Sequence, residues 1–87
     1  MAVYIAKNGE EQDFSPIDGS TFSKDELAER LSGEPQIIPL RKDASKVIIA
    51  DKAGLAKELD PNVKASMLAG RVVVGPIIVC ENDEHDL

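Results

Sequence analysis

The sequence predicts an α+β domain: a small, mostly antiparallel sheet of about five strands with one capped amphipathic helix and one short helix. Three observations lead there. Two short runs are separated by Asn8-Gly9, a pair suited to a tight turn with positive φ. Ser23 and Glu26 have the S-x-x-E spacing of a capping box, ahead of apolar residues at helical spacing. Val72 to Cys80 is almost continuously apolar, the pattern of a strand covered on both faces.

The elements follow in order. Residues 1–7 are rich in β-formers and pair, across the Asn8-Gly9 turn, with a return strand over about 11–17. That strand stops at the Ser15-Pro16 and Asp18-Gly19 turn signals. In the first helix each member of the Ser23/Glu26 box satisfies an orphan donor of the first turn, and Phe22 and Leu27 occupy the staple positions. Leu27, Ala28 and Leu31 form its apolar stripe, Lys24, Asp25, Glu29 and Arg30 its wet side. Gly33 is expected to end it in a left-handed conformation.

Residues 34–41 read as a strand that Pro39 confines to a sheet edge, because proline cannot donate to a ladder. A turn at Lys42, Asp43 and Ala44 leads into a strand over 46–51, making a second hairpin. Residues 55–59 fit strand or helix equally and are assigned to a short connecting element. Asp60-Pro61 predicts the start of the second helix, with Asp60 as N-cap and Pro61 in the first helical position. It runs over about 61–69, ends at Gly70, and offers Val63, Met67 and Leu68 for burial. Residues 71–81 form the central strand, interrupted by Gly75-Pro76 where a bulge or a close backbone approach is expected. Residues 1–81 thus make a single domain, and the acidic residues 82–87 are expected to be a disordered tail.

Composition bounds the function. An 87-residue chain holds one core. With 43% hydrophobic but only 3% aromatic residues that core is aliphatic, and few rings remain to stack on exposed bases. Ten Lys and Arg against sixteen Asp and Glu leave a net charge of −6, which repels a phosphate backbone. Nucleic-acid binding is disfavoured, apart from the special case of a protein whose carboxylates imitate DNA. Cys80 is the only cysteine, so a disulfide within the chain and a four-thiolate zinc site are excluded and a reducing, cytoplasmic setting is expected. No basic segment followed by an apolar run opens the sequence, and the Val72–Cys80 stretch is far short of the ~20 residues that span a bilayer, so no membrane partner is expected.

Chemistry-bearing side chains are sparse. His85, the only histidine, stands between Glu84 and Asp86 in the acidic tail and reads as solvated rather than as a metal ligand. Cys80 would need that same tail imidazole as its base and reads as a structural thiol. None of the serines sits in a nucleophile elbow, and neither G-x-x-x-x-G-K nor G-x-G-x-x-G is present. The expectation is a protein that is not an enzyme and carries no cofactor and no metal. The candidate ligand-binding residues are cationic: Arg41, Lys42 and Lys46 at the second hairpin, with Arg71 at the start of the last strand, could hold a small anionic ligand. Asn62 could join them, or serve the turn and helix start. The ordinary alternative for the cations is solubilising charge at turns.

Five pieces of the chain occur in an order that resembles a family of small uncharacterised domains found in bacteriophages, plasmids and conjugative elements. They are Leu27, Leu31 and Gly33 at the helix end, the Ile37 to Leu40 strand, the Ile49 to Leu55 hairpin, the Leu59 to Asn62 segment and the Val73 to Val79 strand. All are apolar and turn residues, so the resemblance implies architecture and a mobile-element origin, with Pro76 departing from the acidic residue expected after Gly75. By analogy it implies one of two roles. One is an accessory protein that docks on a host protein through a sheet edge or an acidic face, or assembles with itself as a homo-oligomer. The other is a counter-defence protein that sequesters a small anionic signalling nucleotide at an oligomer interface.

Overall fold

The structure, a computed structural model, describes residues 2–16, 19 and 21–85. It is an α+β fold with five antiparallel strands in one open sheet and two helices: β1 (Ala2–Ile5), β2 (Glu11–Phe14), α1 (Lys24–Leu31), β3 (Pro35–Pro39), β4 (Lys46–Asp51), α2 (Val63–Ala69) and β5 (Ile77–Glu81). The strand order is β2-β1-β5-β4-β3. Both expected hairpins form, and the last strand inserts between them, pairing Tyr4 with Ile78 on one side and Ile49 with Ile78 on the other. Its near-continuous apolar sequence follows from that place, since Ile77 and Ile78 point to opposite faces and both are fully buried.

Each face carries one helix. On the first, α1 lays Leu27 and Leu31 on Ala2, Val47, Ile49, Ile78 and Cys80, with Phe22 buried beside them. On the second, Ala65 of α2 packs with Ile5, Ile38, Ile48, Ala50, Ile77 and the loop residue Val73. The assignment to faces obeys the period of two along every strand. β3 is an edge strand, as Pro39 required, and Pro35 removes a second donor from it.

The central strand is confined to Ile77–Glu81 rather than running over 71–81, since the Gly75-Pro76 break ends its pairing, and four further local expectations change. The Ser23/Glu26 capping box is present, but the left-handed residue that closes α1 is Ser32 (φ 58°), not Gly33. Gly33 is needed for proximity instead. A Cβ there would lie 2.4 Å from the carboxyl carbon of Asp51, whose buried side chain accepts from Lys57 Nζ (2.7 Å) and from Ala53 N (2.9 Å). Lys57 Nζ also donates to the Ser32 carbonyl oxygen, which ties the end of α1, the end of β4 and the 55–59 turns together.

The start of α2 moves from Asp60 to Asn62, whose side chain accepts from Ala65 N (3.0 Å). Pro61 lies outside the helix, in a bridge with Val74. Third, Val63, Met67 and Leu68 are not buried: the sheet-facing side is buried Ala65 with half-buried Ala69, and Val63 and Met67 are 69% and 76% exposed. At ~100° per residue an i, i+4 pair beginning at 63 lies almost opposite one beginning at 65. The small residues face the sheet, and the large ones face out.

Fourth, residues 82–85 are joined to the domain rather than frayed. Asn82 N donates to Ser45 O (2.8 Å), Phe22 N donates to Glu84 O (2.6 Å), and His85 bridges Phe22. Gly70 closes α2 as expected, and does so in a left-handed conformation. At Gly75 (φ 77°) the expected close approach is found, since Leu59 would meet any Cβ there at 2.7 Å. The expected strand end at Ile17, the turn at Asp18, the N-terminal Met1 and the last two residues of the tail lie outside the described residues.

Candidate functional site

Among the described residues, α2 and the turn after it hold four of the six large apolar side chains that the fold leaves exposed, Leu55 and Ile37 being the other two. Val63 and Met67 stand one helical turn apart on the outer face of α2, Leu68 flanks them at 38% exposure, and Val72, just past the helix, is 66% exposed. Met67 is the common wall of three depressions. The first is a groove of about 390 Å³ lined by Leu40, Arg41, Lys42, Asp43, Lys46, Met67, Leu68 and Val79. The second runs from Pro61 and Val63 to Gly70, Arg71 and Val72, and the third lies between Val63, Lys64 and the Asn8-Gly9 turn.

The groove has a local cause. Arg41 N donates to the carbonyl oxygen of Leu68 (3.0 Å), which pins the end of β3 against the end of α2. The Arg41 stem then crosses Gly70, where a Cβ would meet its Cδ at 2.7 Å. Arg41, Lys42 and Lys46 all line this groove. Arg71 lies on the far side of Gly70, in the neighbouring depression.

Asn62 is not with them. It is fully buried, and its Nδ2 donates to the carbonyl oxygens of Ile5 (3.3 Å), Ala6 (3.3 Å) and Gly75 (3.0 Å) while Oδ1 caps the helix. Every polar atom of its side chain is committed to backbone, which leaves nothing to offer a ligand.

The charges around Met67 are mostly unspent. Lys7 pairs with Asp60 (2.9 Å) and Lys64 with Glu11, both at exposed positions. Among the described residues no ion pair engages Arg41, Lys42, Lys46 or Arg71. Asp43, the nearest acid in sequence, shapes its own turn: Oδ1 accepts from Ser45 Oγ (2.6 Å) and Ser45 N (3.0 Å), and those bonds, with the charge of Lys46, hold its carboxyl below the usual range.

The remaining candidates are of another kind. Cys80 is buried in the α1-side core, and burial, aided by the charge of Glu84, pushes its thiol up to about 11, so it stays protonated. Among the described residues no group of three or more His, Cys, Asp or Glu is placed to hold a metal ion, and no helix is long and apolar enough to cross a membrane. All three aromatic residues sit on the α1 side: Phe14 stacks on Phe22 at 4.9 Å, and Arg30 lies 4.0 Å over the Tyr4 ring while its Nη2 donates to Gln12 Oε1. No family model matches the chain, nor does any curated protein or solved structure.

Proposed function

We propose that this protein is a non-enzymatic docking module, of the accessory kind a mobile element would encode, that binds another protein through the outer face of α2. The observation that carries the reading is the exposure of Val63 and Met67 on a helix whose sheet-facing side is made of alanines, with Val72 exposed just beyond its end. Large apolar side chains contribute most when covered, about 25 cal/mol for each Å² removed from water, and here the fold does not cover them.

The sheet edges are less suited to the task. β3 is interrupted by Pro35 and Pro39, and β2 presents Glu11, Gln12 and Asp13 to solvent. Two-fold pairing of the α2 face with itself is also opposed, because it would bring Arg41, Lys42 and Arg71 of one copy toward the same cations of the other. The occupant is therefore a different chain.

A second reading, capture of a small anionic molecule, draws support from the shared groove of Arg41, Lys42 and Lys46, whose size falls in the ~300–1,000 Å³ range of ligand sites. Against it, no aromatic ring lines that groove to stack on a base. A thermal-shift screen with nucleotides and cyclic oligonucleotides separates the two: a reproducible rise in Tm supports capture, and none supports docking.

Photo-crosslinking tests the docking reading. With benzoylphenylalanine in place of Met67, a discrete protein adduct is expected in cells that produce the protein, and none with the same group in place of Glu29 on α1. Equal adducts from both positions, or none from position 67, would contradict it.

A further inference from the structure

We infer that the segment docking on α2 is an acidic peptide stretch carrying at least two large apolar side chains, a deepening that rests on the docking reading above. The argument begins with a charge imbalance. The chain has sixteen acids for ten Lys and Arg, so carboxylates are abundant, yet no described ion pair engages Arg41, Lys42, Lys46 or Arg71 around the exposed apolar strip. Asp43, the acid within the groove, is held in its turn by Ser45 and its charge answers Lys46, so among these cations it leaves Arg41, Lys42 and Arg71 as the uncompensated ones.

A partner that covers Met67 must approach these cations and strip part of their water. A neutral or basic partner would leave that charge uncompensated at the rim of a dry contact, whereas carboxylates restore the lost interactions locally. The apolar requirement comes from the ground between the cations. Leu40, Leu68 and Val79 floor the groove on one side of Met67, and Val63 and Val72 form the shallower depression on the other. Two depressions sharing one methionine wall take two neighbouring apolar anchors, with acidic residues reaching Arg41 and Lys42 at one end and Arg71 at the other. Met67 suits such a contact because its unbranched thioether adapts to the side chain laid against it.

The test is a selection of random peptides of roughly 16 residues, an amphipathic helix-in-groove length, displayed on phage at low salt against the intact protein. Enriched sequences are expected to be net negative with two or more large apolar residues. Their binding should be lost on Met67→Glu, weakened about tenfold on the exposed double substitution Lys42→Glu/Arg71→Glu, and weakened again as salt rises from ~0.05 to ~0.5 M. Neutral or basic peptides that still depend on Met67 would overturn the acidic chemistry and leave the docking face standing. Peptides insensitive to Met67→Glu, or no enrichment at all, would count against both. Titration of phosphatidylserine vesicles and of cyclic dinucleotides completes the test: either binding at the α2 face where acidic peptides do not would overturn the inference.

Discussion

Asn62 is the residue on which the second half of the fold turns. It starts α2 and its amide gathers carbonyls from β1, from the turn after it and from Gly75, so one side chain fastens α2 to the strand beneath. Asn62→Ala removes a cap and leaves buried carbonyls without a donor, an expected loss of about 3 kcal/mol in urea unfolding. Asn62→Asp keeps an acceptor for Ala65 N but sets a carboxylate against those carbonyls, and should cost more than the alanine; equal or smaller losses would contradict the assigned bonds. Cys80 gives a pH dependence of definite sign. Its thiol is held up to about 11 in the folded state, against ~8.5 in an unfolded chain, so the folded state keeps the proton longer. That contribution is complete below ~8.5 and is lost as pH rises toward 11. Cys80→Ala should flatten this alkaline decline, and alkylation of native Cys80 at neutral pH should proceed only as fast as the protein opens.

At the scale of elements, the phase of α2 is the most informative feature. Met67→Glu and Val63→Glu are expected to leave the unfolding midpoint within about 0.5 kcal/mol of the parent, as exposed substitutions do. Ala65→Leu, which forces a large side chain between helix and sheet, should cost about 1–3 kcal/mol or more. The reverse ranking would mean that the helix presents its large residues to the sheet. What was legible beforehand divides along the same line. The α1 capping box could be read from Ser23 and Glu26 because both partners lie within one turn, and the two hairpins from Asn8-Gly9 and the Lys42–Ala44 turn. The start of α2 was misplaced at Asp60-Pro61 because the carbonyls that fix Asn62 come from Ile5 and Ala6, at the other end of the chain. The exposed strip was missed for a related reason. Large apolar residues in a short helix suggest burial, and only the Ala65/Ala69 spacing, with Asn62 one turn before Ala65, could have pointed to a close-packed face of small residues.

At the scale of the whole molecule, β5 joins two hairpins that share no strand pairing of their own. Its partners lie in β1, more than seventy residues away in the chain, so the sheet closes late and through non-local pairing. A large-to-small change at its centre, Ile78→Ala, should cost about 2–5 kcal/mol and uncouple both hairpins together rather than one. The same architecture explains why function was less legible than fold: α1 and α2 cover opposite faces, and which helix keeps an apolar outer side is decided by which of its residues face the sheet, not by composition. The most direct test of the docking claim pairs stability with contact in one variant. With the photoreactive group moved to Val72, Met67→Glu should abolish the protein adduct while the unfolding midpoint stays at the parent value. An undiminished adduct, or a protein destabilised by the charge, would contradict the account.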